Sequence, residues 1–287
     1  MTKRTLKPIF PPAGIEREYH KRLKKAVREM EASVVYWLRA KYRANESRIV
    51  GDSATDDLLK AFRKLLHQWE RNFRELADVL PRWFVNKIKG YVHGNLAEQV
   101  KPLKDAGLGF NLKFSYMSQK ERQTFAAIVN ENVNLIKSIA RENLTQVEGI
   151  VLRSIQNGHD LSTLTEELHK QFGVTERRAA MIARDQTNKA TENLSRQRLK
   201  SYGITKGIWL HTASGKTYRD THVDDLDGQE YDLEEGIYDP AKGVERNIHP
   251  AELVNCYCVC RPLIPTLSEE ETLEGIDEIF EELGEKV

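Results

Sequence analysis

Apolar residues that return every three or four positions over long, unbroken stretches constrain this chain more than anything else in it. Between Ile15 and about Ala44 the recurrence runs Ile15, Tyr19, Leu23, Val27, Met30, Val34, Trp37 and Leu38. That spacing gathers the apolar side chains on one face of a long helix and leaves the other face to water. A second stretch carries Leu58, Leu59, Phe62, Leu65, Leu66, Trp69, Phe73 and Leu76 behind Gly51 and the capping signal Ser53-Ala54-Thr55-Asp56; Pro81 predicts its close. Two such helices can form a hairpin. With hydrophobic residues making up 40% of 287, the chain has enough apolar surface to build a core around them.

After Trp83, Phe84 and Ile88 come Gly90, Gly94, Gly107 and Gly109, an irregular stretch that predicts a boundary or hinge. Ser118-Gln119-Lys120-Glu121 is a capping box opening a third helix, whose apolar face includes Phe125, Ile128, Val133, Ile136, Val147 and Ile150. Residues Asp160 to Phe172 read as a short helix stopped by Gly173. Thr175 caps a longer one that ends at Gly203. Beyond Gly203 the period shortens. "ITKGIWLHT" and "NCYCVCRPLI" are β-rich runs of strand length, separated by a turn-rich acidic loop. From Ser268 onward an acidic helix is expected, with Ile276, Ile279, Phe280 and Leu283 on one edge.

The fold class expected is therefore α+β: a long-helix, mainly α N-terminal region, then a small α+β C-terminal module and an acidic terminal helix. The organisation expected is 1–115 as a basic helical region, 116–203 as a helical region leading into the module, 204–265 as the module, and 266–287 as the acidic helix. The net charge of +1 conceals a separation along this order: residues 1–115 carry about eleven more bases than acids, and residues 211–287 about fourteen more acids than bases. The basic half is suited to nucleic acid, although its bases are interleaved with acids in the manner of an ordinary solvated helix face. No apolar run approaches the roughly 20 residues of a membrane helix, and the opening residues lack a secretory signal's hydrophobic middle, so a soluble protein made in a cytoplasm is expected.

Chemistry concentrates in two places. All three cysteines, Cys256, Cys258 and Cys260, stand at alternate positions behind His249-Pro250. In an extended strand, their sulfur atoms face one way, about 7 Å apart, near the limit for a bridge, so a disulfide framework is not expected. Two readings stay open. Thiolates of Cys256 and Cys258 with His249 and His222 suit a tetrahedral Cys2His2 zinc site. Alternatively, the cysteines are small buried hydrophobes on the core side of a strand. The second place is the loop Arg219, Asp220, His222, Asp224, Asp225, Asp227 and Gly228. There a histidine among carboxylates suits a general base or a metal, with Arg219 for an anion. Its structural counterpart is an Asp227-Gly228 turn in a solvated acidic loop.

The ordered set "MIARDQTNKAT", "GIWLHTASGKTYRDTH", "LDGQEYDLEEG" and "HPAELVNCYC" resembles the C-terminal module of the phage Mu F-type minor head proteins, the phage head morphogenesis family, over roughly residues 175–265. Carried over position by position, the family's recurring residues are Arg184, Asp185, Gln186, Trp209, Arg219, His222, Asp227, Gly228, His249, Pro250, Asn255, Cys256 and Cys258. Tyr257 stands where the family usually has Arg, and Cys260 is an addition. The resemblance implies a structural, non-enzymatic virion protein in the head interior or at the portal vertex, present in host cytoplasm during assembly and acting in head assembly and genome packaging or delivery. Its implied partners are portal, major capsid or scaffold protein and packaged double-stranded DNA, with no membrane. Zinc is the one cofactor that these residues suit. Two alternatives are a metal-dependent nuclease or toxin-like enzyme using Arg219, His222 and Asp227, and a zinc-stapled nucleic-acid-binding protein.

Overall fold

The computed structural model describes residues 4–45, 52–105, 117–156, 161–212 and 218–264. Four long helices lead: α1 (Ala13–Asn45), α2 (Asp52–Asp105), α3 (Gln119–Gln156) and α4 (Leu161–Ser201). Behind them come β1 (Lys206–Leu210), the short α5 (Asp220–Asp224), β2 (Glu230–Asp232), β3 (Ile237–Asp239), β4 (Arg246–Ile248) and β5 (Val259–Pro262). The molecule is thus mainly helical with a small β region, an α+β protein. The expected acidic helix at 266–287, Gly107, Gly109, Gly51, Gly158 and Asp160 lie outside the described residues, as do the side chains of Ser53, Thr55 and Asp56.

Helix α2 does not close before Pro81, nor does the chain break at Gly90 or Gly94. The helix runs through all three because Ala77, Leu80, Phe84, Ile88, Val92, Leu96, Val100 and Leu103 continue the three- and four-residue rhythm, each at most 2% exposed. Burial of that stripe, about 1.5–3 kcal/mol for each large side chain, outweighs the roughly 3 kcal/mol that an internal proline costs. Gly173 likewise fails to stop a helix. Leu164, Leu168, Phe172, Ala179 and Ile182 keep one apolar face across it, all at most 4% exposed. Thr175, expected as a cap, is buried inside α4 and donates its hydroxyl to Asn143 Oδ1 at 2.5 Å.

Other local signals operate as the sequence predicts. Ser118 Oγ accepts from the Glu121 N–H at 3.1 Å while Glu121 Oε2 accepts from the Ser118 N–H at 2.6 Å, the reciprocal pair of a capping box. At the end of α4, Gly203 adopts φ 85°, its N–H reaches Lys200 O at 3.0 Å, and the Ile204 N–H reaches Leu199 O at 3.1 Å. Those two bonds, with Leu199 and Ile204 both buried, constitute a Schellman stop.

By its internal contacts the chain divides into two compact units. One comprises Gly14–Phe84 and Val129–Arg184 and is helical throughout its described residues. Its interior stacks Tyr19 on Phe84, ring centres 4.2 Å apart, and the Tyr19 hydroxyl donates to Asn132 Oδ1 at 2.8 Å. The other comprises the described parts of Met1–Ala13, Val85–Ile128 and Asp185–Val287, and holds all the strands found among the described residues. Its three-stranded antiparallel sheet has the order β2-β1-β5, and β3 pairs with β4 separately. Residues near the start join this sheet region: the Leu6 N–H bonds Pro262 O and the Ile264 N–H bonds Arg4 O, both at 3.0 Å.

Candidate metal centre

Strand β5 begins only at Val259, so the three cysteines do not share one strand face. Ahead of it the chain turns, with Ala251 and Asn255 both at φ 58°. That bend releases Cys256 and Cys258 from strand alternation, whereas Cys260, inside β5, pairs with Trp209 of β1. The irregular segment has backbone groups that no strand satisfies, and α4 supplies their partners. Asp185 Oδ1 accepts from the Asn255 N–H at 2.9 Å, Asn188 donates to Cys256 O at 3.1 Å, and Glu192 accepts from the Cys260 N–H at 3.3 Å. This explains why a helix buries Asp185, Asn188 and Glu192: one polar face of α4 fixes the path of the cysteine loop.

The path brings Cys256 and Cys258 to His222. Nδ1 of His222 lies 3.6 Å from Cys256 Sγ and 3.5 Å from Cys258 Sγ, and the three ligand atoms all fall within 4.8 Å of one another. All three residues are buried. On the other side of the ring, Nε2 is 3.2 Å from Oδ2 of Asp239, which is fully buried and whose Oδ1 accepts from the Ala241 N–H at 2.9 Å. A carboxylate accepting from Nε2–H fixes the ring proton there and turns the Nδ1 lone pair toward the thiols, the outer-shell arrangement that orients metal-binding histidines. Trp209 packs edge-on against the ring at 5.1 Å.

The donor set fits a soft divalent ion. Metal–sulfur bonds near 2.3 Å and metal–nitrogen bonds near 2.0 Å require a sulfur-to-nitrogen edge of about 3.5 Å in a tetrahedron, and both His222 edges meet it. The Cys256 thiol is pulled well below its ordinary range, first by a hydrogen bond from Cys258 and then by His222, while Cys258 is pushed up by the same bond and by burial. Metal binding at such thiols requires their deprotonation, so affinity for an ion here would rise with pH. The three candidate ligands border a cleft of about 20 Å³, also lined by His211, Thr212, Tyr218 and Arg219, which is room for one ion or water.

His249 is not in this group. It follows β4, its N–H is held by Glu252 Oε2 at 2.9 Å, and its ring tilts toward Tyr231, centre to centre 6.3 Å. Burial, and then Arg196, hold its pKa at about 4, so the half-buried ring is neutral near pH 7. Cys260 also points elsewhere. Its Sγ fills the space beside Gly207, where a Cβ would stand 2.3 Å from the sulfur, and burial followed by Glu192 drives its thiol up.

Of the remaining residues singled out in the sequence, Trp209 is fully buried, Gln186 and Pro250 are buried, and Arg184 is exposed. Arg219 is half-buried and donates to Val254 O at 3.2 Å. Gly228 has φ 77° and its N–H bonds Trp209 O at 2.9 Å, which makes Asp227-Gly228 a turn docked on β1. Asp227 Oδ1 accepts from the His211 N–H at 2.7 Å; the carboxylate that holds His222 is Asp239. Sequence reasoning passes over Asp239 and His211. Asp239 precedes a proline in a run of turn residues and looks like turn chemistry, and His211 lies at a strand end without a ligand-like spacing.

Comparison with known proteins bears on this region. Residues 145–261 match the family model described as "Phage Mu protein F like protein", so the resemblance drawn from motifs over 175–265 is shown and begins further upstream, within α3. A Haemophilus influenzae (strain ATCC 51907 / DSM 11121 / KW20 / Rd) protein described as "Uncharacterized protein" is 28% identical over 273 residues, 94% of this chain. The chain spans 57% of that relative's own length. No solved structure matches the chain.

Proposed function

We propose that this chain is a structural minor head protein of a tailed bacteriophage, associated with the portal or capsid interior and acting in head assembly and in genome packaging or delivery. The observation that carries this reading is the match over residues 145–261 to the phage Mu F-like family, which coincides with the region holding His222, Cys256 and Cys258. On this reading the ion is zinc and its work is mechanical: it joins the cysteine loop to α5, and so presents a fixed module surface to portal, capsid or scaffold protein. No described helix is long and apolar enough to cross a membrane.

Packaged duplex is the second proposed partner. Along α2, exposed Lys60, Lys64, Arg71, Arg74 and Arg82 recur on one side of the helix, with exposed His67 and Asp78 completing the row. Such a row can follow phosphates, with affinity that falls steeply as salt rises. The four-part organisation by charge belongs to this proposal: basic helices beside DNA, an acidic module beside protein.

The test is mass spectrometry of nuclease-treated heads purified from cells expressing the chain with its phage's head proteins. Peptides of this chain at low, fixed stoichiometry to the major capsid protein support the reading; their absence from heads and procapsids overturns it. One observation favours a second reading: the three metal-ligand candidates face a cleft that also holds Arg219, as a hydrolytic metal site would require. Nucleotide release from DNA or RNA by the purified protein, abolished in His222→Ala, would establish that alternative.

A further inference from the structure

The three ligands around Cys256 and Cys258 leave one corner of a tetrahedron to be assigned. We infer that His211 occupies it and closes the site as Cys2His2. The inference rests on the reading of the two thiols as metal ligands, and goes beyond it by deciding whether the ion keeps a position for water or substrate.

Strand register supplies the first argument. Antiparallel pairing of β1 with β5 sets Trp209 opposite Cys260 and Leu210 opposite Val259. One residue beyond that last pair on each chain stand His211 and Cys258, which the ladder itself does not include but which remain neighbours. The pairing direction persists beyond the strands, because the Thr212 hydroxyl donates to Tyr257 O at 2.7 Å. Distance supplies the second. Nδ1 of His211 lies 3.7 Å from Cys258 Sγ, close to the edge of about 3.5 Å that a tetrahedral ion with these donors requires.

The residue is also held for the purpose. Its N–H is bound by Asp227 Oδ1 at 2.7 Å, and its ring meets Tyr218 edge-on at 5.7 Å. His211 lies outside the mutual 4.8 Å spacing of the other three candidate ligand atoms, so joining them requires its half-buried ring to move within the cleft it lines. His249, the histidine nearest the cysteines in sequence, lies outside the group formed by His222, Cys256 and Cys258, its ring tilted toward Tyr231. With four protein ligands the ion has no open coordination position, which is the structural rather than the catalytic form of such sites.

The experiment is cobalt(II) titration of the whole reduced protein, followed by absorption and by competition with a chromophoric chelator. It compares wild type with His211→Ala, His211→Cys, His249→Ala and Cys256→Ala. Tetrahedral cobalt bands are expected in wild type and in His249→Ala. His211→Ala is expected to lower affinity at least about tenfold, since even outer-shell losses cost that much. His211→Cys is expected to restore binding and to raise sulfur-to-cobalt charge-transfer absorption by about half, as three thiolates replace two. A wild type that binds no cobalt or zinc overturns both the metal reading and this inference. Tight binding that is indifferent to both His211 substitutions, or lost in His249→Ala, overturns the inference alone.

Discussion

The helical unit and the strand-bearing unit are held together by different means. Within Gly14–Phe84 and Val129–Arg184 the interior is mainly an apolar seam, with Tyr19, Leu23, Val27, Met30, Val34, Phe62 and Phe84 all fully buried, crossed by a few polar pairs such as Tyr19–Asn132 and Thr175–Asn143. The other unit buries Asp185, Asn188, Glu192, His222 and Asp239 alongside its apolar residues, and spends most of them on backbone groups of short, irregular segments. A seam of many equivalent contacts weakens by degrees. A polar network has members that fail singly, because a buried group left without its partner costs more than the bond contributed.

The sharpest way to break this comparison is to remove the ion proposed for His222, Cys256 and Cys258. Chelation, or Cys256→Ala, is expected to destabilise the strand-bearing unit by several kcal/mol, short of the roughly 10–16 kcal/mol by which zinc organises isolated finger peptides. Amide exchange should then speed up across Lys206–Leu210 and Val259–Pro262 and stay slow in Ala13–Asn45; equal loss in both would dissolve the distinction. Next in size is Phe84→Ala, expected to cost about 3–5 kcal/mol through the cavity beside Tyr19, while cobalt or zinc affinity at His222 is unchanged. Denaturant melts and a metal titration of the same sample check both halves.

A smaller effect is expected from Asn188→Leu, which leaves the Cys256 carbonyl without its donor. A loss of about 1–3 kcal/mol with weaker metal binding would place α4's polar face in the network; full stability would remove it. The smallest is a pH effect. His93 is held at about 4 by burial and then by Arg198, against about 6.5 in the unfolded chain. A depressed histidine contributes its full stability above the unfolded value and loses it as pH falls toward the folded one. Between pH 7 and pH 5 the loss is expected to be on the order of 1 kcal/mol, allowing for the ring's partial exposure. His93→Gln should flatten that part of the stability curve.

Helix signals written within a few residues of each other can be read without the structure. Ser118 with Glu121, and Gly203 with Ile204, need only their neighbours. Pro81 and Gly173 are open to misreading because their local preference is real and is overridden by apolar residues up to a full helix length away. The candidate metal site is legible in part for the same reason. Cys256 and Cys258 are close in sequence and chemically distinctive, and His222 stands in a motif. Choosing between His211 and His249 depends on strand register and on where β4 delivers its last residue, neither of which any spacing encodes. Asp239 is selected by distance across the fold from His222, and its sequence context speaks only of a turn.

The bonds from Arg4 and Leu6 to Ile264 and Pro262 set an order in time. A ribosome adding about 5–20 residues per second needs on the order of 13–50 s between the first of these partners and the last. Within that interval α1 to α4 can form in turn as they are made, the last of them ending at Ser201, while the sheet edge at Pro262 does not yet exist. The pairing with the longest loop to close is also the one that finishes the cysteine-bearing region. A nascent chain therefore completes its helices before the sheet edge that closes its cysteine-bearing region.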